Sequence, residues 1–350
     1  MSYQRYRIRI QPQSAFATPL RGDTLFGQCC QLISESGGQL LQGLLEGYTQ
    51  GSPFLVLSDA FPAGYLPRPN LPLSWFGFDL TDATGRKAAK SQQWLPADHT
   101  SAPLSQWQTH LNNSGSIAKK LAGIDEGSKK QAKPIQQQTV RTHNSINRLT
   151  STTSSGEEGF APFERELTWY HPKLELELYA VIDERLPVEQ LQQLLEGIGA
   201  FGYGKEASTG CGRFTVESVE GWQPSAHPQA NSWLTLAPTA PQGWQDAEGN
   251  GWHSERCFYQ IHVRFGRHAG GIESPDGGNR TPWKNPVLLA DSGALLTPQA
   301  FNPNALFCGQ GLTGLSHLQP GTVHQGYSPM IPVYLDHPFS QEPAAQGANA

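Results

Sequence analysis

Near the start of the chain Tyr6, Ile8 and Ile10 alternate with Arg5, Arg7 and Arg9. Side chains two positions apart share one face of an extended backbone, so this run predicts a half-buried strand. Its arginine face reads as solvated, or as lining a path for an anionic polymer. Leu25, Phe26, Cys29, Cys30, Leu32 and Ile33 then recur at helical spacing behind Gly22-Asp23-Thr24 and stop at Gly37-Gly38. That pattern predicts a helix with Asp23 as its N-cap. A second short helix is predicted over Leu40 to Leu45, and a buried strand over Phe54-Leu55-Val56-Leu57. Further on, Leu174, Leu176, Leu178 and Ala180 alternate with Glu175, Glu177 and Tyr179, marking another strand. Pro187 opens a helix with Val188, Leu191, Leu194, Leu195 and Ile198 on one face, and Phe214 to Val219 form the strand after it.

The first 220 residues therefore read β-α-β…β-α-β, the ferredoxin-like pattern, interrupted at about 78–138 by an insertion without periodicity. After Trp222 the chain restarts with strand-like Trp233 to Leu236 and Cys257 to Phe265, and the rest is rich in proline and glycine. The expected architecture is α+β with two ferredoxin-like domains. Residues 1–220 form the first and 221–337 a smaller, degenerate, β-rich second. Residues 338–350 read as a disordered tail.

Composition narrows the partners. Charged residues make up only 16% of the 350 residues and the net charge is −5, so any nucleic-acid site must be a local basic patch on an acidic body. Five cysteines without a C-x-x-C pair speak for reduced thiols in a cytoplasmic protein and against a zinc site or disulfide framework. The histidines, His253, His262, His268, His317 and His324 among them, show no ligand spacing, so neither metal nor cofactor is expected. No stretch approaches the ~20 apolar residues of a membrane span. Trp94, Trp107, Trp169 and Trp283 are candidates for interface patches.

The chemistry concentrates between the second predicted helix–strand pair, in Gly199-Ala-Phe-Gly-Tyr-Gly-Lys-Glu-Ala-Ser-Thr-Gly-Cys-Gly-Arg-Phe214. Glycines at 202, 204, 210 and 212 can turn backbone N–H groups toward one anion, and Lys205, Ser208, Thr209 and Arg213 suit a phosphodiester. Gly199, Gly204 and Lys205 fit the opening of a P-loop, but Glu206 replaces its Ser or Thr, and the loop runs from helix to strand instead of strand to helix. Glu206 would repel phosphate and is expected to point away. A basic stretch with Lys119, Lys120, Lys129, Lys130 and Lys133 precedes Thr139-Val-Arg-Thr-His-Asn-Ser-Ile-Asn-Arg148. Arg141, His143, Asn144, Asn147 and Arg148 offer base-edge and phosphate contacts there, and turn stabilisation is the other reading of the asparagines. Arg21 lies just before a helix N-terminus, where an anion is favoured.

Four blocks in this order carry a family resemblance: Leu57-Ser-Asp-Ala-Phe-Pro62, Leu66-Pro-Arg-Pro69, His143 to Arg148, and Gly202 to Phe214. Together with Cys308-Gly-Gln-Gly-Leu312 and Val323-His-Gln-Gly-Tyr327, they resemble the RAMP superfamily of CRISPR RNA-binding proteins. Within it they look like the guide-capping subunits of type III-A (Csm) effector complexes. The resemblance implies a non-catalytic subunit that grips the 5′ handle of the CRISPR RNA. It also implies docking of the large polymerase-type subunit and contact with the backbone RAMP subunit. A projecting "thumb" hairpin is expected within 80–138. Related RAMP proteins cleave guide precursors without metal, so the rival reading makes His143, beside Lys133 or Arg148, a general acid or base.

Overall fold

The computed structural model describes residues 2–125, 127–144, 146, 151, 162–241, 243–245, 249–267, 283–317 and 319–336. Asn147, Arg148, His268 and the expected tail lie outside them.

In chain order the first half begins with β1 (Tyr3–Pro12), α1 (Gly22–Ser36), α2 (Gly38–Leu45) and β2 (Leu55–Leu57). Next come β3 (Phe61–Pro62), β4 (Tyr65–Pro67), α3 (Ala83–Ser91), β5 (Gln92–Pro96), β6 (Asn112–Asn113) and α4 (Ser114–Leu121). A hairpin follows, β7 (Gln136–His143) and β8 (Phe163–Tyr170), and then β9 (Leu176–Asp183), α5 (Val188–Phe201) and β10 (Phe214–Gly221). The central antiparallel sheet runs β10-β1-β9-β2, with β3 added beside β9. Its two β-α-β halves, β1-α1-β2 and β9-α5-β10, interleave in space. Ile8 and Ile10 join Leu25, Phe26, Leu191, Leu195 and Ile198 in the core beneath the helices.

The other face of that sheet is also covered. The sequence pattern predicts half-buried strands, but every residue of β9 is buried. The arginines of β1 are engaged. Arg9 Nε lies 3.0 Å from Glu177 Oε1, Arg7 pairs with Glu220 at 3.0 Å, and the Arg5 guanidinium donates to Met330 O. Glu177, wholly buried, also accepts from Tyr179 Oη and the Gly64 amide. A buried carboxylate needs such donors, and it draws the basic face inward.

The covering layer comes from the second half. That half holds β11 (Ser232–Thr235), β12 (Ile261–Arg264), β13 (Val287–Ala290), β14 (Leu295–Leu296), β15 (Phe307–Leu312) and β16 (His324–Val333). Its main sheet is β14-β11-β16-β15, and β12-β13 form a separate ribbon. Among its described residues there is no α-helix. Gln325 stitches the halves together, donating to Leu57 O and accepting from the Leu57 amide.

The region 80–138 does not supply a projecting hairpin among its described residues. Leu95, Leu104, Leu111 and the wholly buried Trp107 pack with Leu66 and Phe76 into a second core, which also removes Trp107 as an interface candidate. Trp169 and Trp283 are exposed. Strands β7 and β8 pair in a separate two-stranded ribbon. One further difference concerns Asp23. The N-cap of α1 is Arg21, and Asp23 sits inside the first turn, where its carboxylate takes Arg264.

Candidate nucleic-acid interface

Three segments converge at one end of the central sheet. The chain leaving β1 (residues 13–18) runs between the glycine loop 202–213 and strand β8. Phe16 exchanges backbone hydrogen bonds with Thr168 of β8 at 2.9 and 2.8 Å. On its other side the same segment receives the glycine loop. The Gly212 amide donates to Ala15 O, Arg213 N to Ser14 Oγ, and Lys205 N to Thr18 Oγ1.

The loop's amides are thus largely turned inward. Tyr203 N donates to Gly212 O, Gly210 N to Ala207 O, and Cys211 N to Glu206 O. This differs from the sequence expectation of an open cradle of N–H groups. Most of the glycines likewise serve the loop's own packing. A Cβ on Gly212 would lie 2.2 Å from Tyr203 O, and those on Gly202 and Gly204 would strike Cys211 O and the Thr18 side chain. Gly210 differs, with φ +90 and nothing within 4 Å of its Cβ position. The result is a rigid loop presenting Lys205, Ser208, Thr209 and Arg213 to solvent. Among the described residues neither cation has a carboxylate partner.

Hairpin β7–β8 completes the surface. Arg141 stands directly opposite Arg165, and His143 opposite Phe163. Directly opposed residues project on the same face, so Arg141, His143, Phe163 and Arg165 share one side of the ribbon. Alternation puts Val140, Glu164 and Glu166 on the other. Arg165 reaches the glycine loop, its guanidinium 3.0 Å from Glu206 Oε2. The first side therefore faces the loop, and Glu206 is withdrawn from the open surface by its partner. His143 stacks on Phe163 with ring centroids 5.6 Å apart and planes at 19°. Arg165 lies over the same Phe163 ring at 5.3 Å. Asn144 is exposed at the end of β7.

Arg21 has a different role from the phosphate contact expected of it. Its guanidinium is held 2.7 Å from both Asp59 and Asp291, and Asp59 also accepts from the Gly22 amide at 3.0 Å. The favourable site at the α1 N-terminus is thus filled by the protein's own carboxylate. Phe163 and Arg165 are the residues that sequence reasoning missed. The alternation Phe163-Glu-Arg-Glu-Leu167 was the available signal.

No family model and no curated protein matches the chain. Its fold, however, is shared with solved structures over nearly the full length. It resembles a chain of the Csm3–Csm4 subcomplex in the type III-A CRISPR–Cas interference complex, with TM-score 0.55 and 13% identity over 93% of this chain and 99% of that one. It also resembles a chain of the Csm1–Csm4 cassette in complex with cA4, with TM-score 0.54 and 15% identity over 95% and 100%. The same cassette in complex with cA3 gives TM-score 0.52 and 15% identity over 96% and 100%. Csm4 is the component common to the named assemblies, and at 13–15% identity the likeness is one of fold. No helix of the described residues is long and apolar enough to cross a membrane.

Proposed function

We propose that this chain is a non-catalytic RNA-binding subunit of a type III-A CRISPR effector complex, gripping the 5′ handle of the guide RNA in antiviral defence. The observation that carries the reading is the convergence of Lys205 and Arg213 on the rigid glycine loop with the Arg141–His143–Phe163–Arg165 face of the hairpin. Single-stranded RNA requires phosphate neutralisation beside planar groups on which unstacked bases lie, and this surface offers both. Gly210, Ser208, Thr209 and Asn144 border it, and Asn147 and Arg148 continue the same segment of chain. The paired strands β7 and β8 replace 80–138 as the thumb of this reading.

The sheet order β10-β1-β9-β2, fourth-first-third-second within the β-α-β halves, supports a ferredoxin-like first domain ending near residue 220. Residues 221–337 form its degenerate companion. The large polymerase-type subunit and the backbone RAMP subunit are the proposed protein partners. An unburied apolar face supports docking: Tyr259, Ile261, Val263 and Phe265 are all exposed, with exposed Leu288 opposite Val263. Patches of that kind mark interaction surfaces.

The test is the salt dependence of binding to a repeat-derived handle RNA. Lys205→Ala and Arg213→Ala should each weaken binding and flatten the log–log slope by roughly 0.7, the single-strand value per neutralised phosphate. Unchanged slopes in both variants would remove the loop from the RNA path.

A further inference from the structure

A cavity of about 420 Å³ opens at the seam of the two halves, bounded by the turn 49–51, by β15 and by the loops at 243–245 and 300–305. It is remote from the glycine loop. Phe307, on its wall, packs edge-on against Tyr3 at the start of β1, with ring centroids 5.0 Å apart. The glycine loop instead meets the chain just beyond Pro12, where the ten residues of β1 end. At ~3.3 Å per strand residue, roughly 30 Å separates the two places. No residue lining the cavity is charged, so a phosphate or carboxylate would be desolvated there without a counter-ion. Another cavity, beside α4, is lined by Lys119, Lys129 and Lys130 and supplies the charge that this one lacks.

Two tryptophans give the cavity its chemistry. Trp244 stacks on Trp252, with ring centroids 4.0 Å apart and planes at 18°. Trp252 is itself fixed, its indole N–H donating to Pro241 O at 2.9 Å. One face of Trp244 is thus taken, and the other is left for the cavity that the ring lines. Trp233 is 1% exposed and stacks on Phe301 at 4.5 Å. Its indole N–H has no hydrogen-bond partner among the described residues, yet it is not one of the sealed, unpaired side-chain atoms. The nitrogen therefore opens onto the cavity that Trp233 lines. A buried indole N–H normally finds a partner, and it can only donate. Its partner here is an acceptor brought in from outside. At the exposed rim, the Gln50 and Gln245 amides each carry donor and acceptor side by side.

We propose that this cavity binds a free nucleoside, its uncharged flat base stacked on Trp244 and accepting a hydrogen bond from the Trp233 indole N–H. The volume lies within the roughly 300–1,000 Å³ of small-molecule sites. An indole face, one buried donor and amides at the rim match a base that stacks and is read along its edge. A sugar carries hydroxyls around its whole rim and would leave several unpaired against Phe307 and Tyr327. The Tyr327 hydroxyl is already spent on Tyr48 O at 2.6 Å. The site is separate from the RNA-binding surface and does not depend on that reading.

The experiment is calorimetric titration of the full chain with adenosine, guanosine, cytidine and uridine, and with trehalose as a neutral sugar. At least one nucleoside should bind saturably, and its 5′-monophosphate should bind no tighter and without salt dependence. Trp244→Ala should weaken that binding about tenfold, the loss of one stacked base. Trp233→Phe keeps a ring but removes the donor, and should weaken it about fivefold, the loss of one hydrogen bond. Lys205→Ala, in the glycine loop, should leave it unchanged. Melting curves check folding, and if Trp233→Phe melts early, Trp244→Ala at its half-buried position carries the test. Saturation by trehalose alone would refute the nucleoside class. Failure of every nucleoside to saturate at about 1 mM would refute the site. Wild-type nucleoside affinity in Trp244→Ala, or its loss in Lys205→Ala, would place the ligand elsewhere and refute this cavity.

Discussion

Gly210 and Gly212 allow the construction of the glycine loop to be measured. Both are left-handed, with φ +90 and +75, so alanine at either costs about 1–2 kcal/mol from the backbone conformation alone. At Gly210 nothing lies within 4 Å of the new Cβ, whereas at Gly212 it would stand 2.2 Å from Tyr203 O and 2.5 Å from Tyr203 N. Both obstacles are backbone, so the two arms of the glycine loop must part. Overpacking of this kind adds about 1–3 kcal/mol. Parting also strains the Tyr203 N to Gly212 O and Gly212 N to Ala15 O bonds, of 2.9 and 2.8 Å, each worth about 1 kcal/mol net. The expected losses are therefore about 1–2 kcal/mol for Gly210→Ala and about 4–7 kcal/mol for Gly212→Ala. Urea unfolding of the full chain, followed by tryptophan fluorescence, reads both midpoints. Gly210→Ala should remain folded and still bind handle RNA more weakly, because its outer surface is the open one. Equal losses in the two variants would refute the pinned-loop geometry. Wild-type RNA affinity in Gly210→Ala would take that surface out of the interface.

Further predictions concern charges and chemistry. Arg21→Ala leaves Asp59 and Asp291 without their shared cation and should destabilise by about 3 kcal/mol, as expected for a broken buried pair. It should leave the salt slope of RNA binding unchanged, and a slope reduced by about 0.7 would restore Arg21 to the phosphate path. Burial, partly offset by Asp23 at 3.7 Å, pushes the His324 imidazole down to about 4 from its usual 6.5. The folded state thus keeps it neutral while the unfolded chain takes up a proton below 6.5, so stability is lost as pH falls from 6.5 to 4. The loss reaches about 3 kcal/mol, and His324→Phe should flatten that part of the pH–stability curve; an unaltered curve would show that another group is responsible. Repeat-containing RNA incubated with the chain in EDTA should stay intact on a denaturing gel. Cleavage abolished by His143→Ala would install the nuclease reading instead.

What was legible in the sequence was local. The β1 alternation, the α5 stripe behind Pro187 and the glycine loop all declare themselves through neighbours a few positions apart, and each element falls where the pattern puts it. The covering of both sheet faces did not declare itself. Burial of Glu177 depends on Arg9, 168 positions away, and on a second layer contributed by β16. Asp23 looked like a cap because short acidic residues favour that position, but Arg264 claims it from 241 positions away. The hairpin escaped for another reason. Along β7 nearly every residue is exposed and polar, so no buried face imposes a period-two pattern. Its pairing with Phe163 to Tyr170 is visible only once the strands are laid together. Glu206 had no role until Arg165 was brought to it.

The measurement that bears most directly on the central claim is cross-linking of 4-thiouridine placed along the handle of a guide RNA loaded onto the full chain. Cross-links should map to residues 202–213 and to the Arg141–His143 and Phe163–Arg165 segments of the hairpin. Cross-links confined to other surfaces, such as the β12–β13 ribbon, would contradict the account.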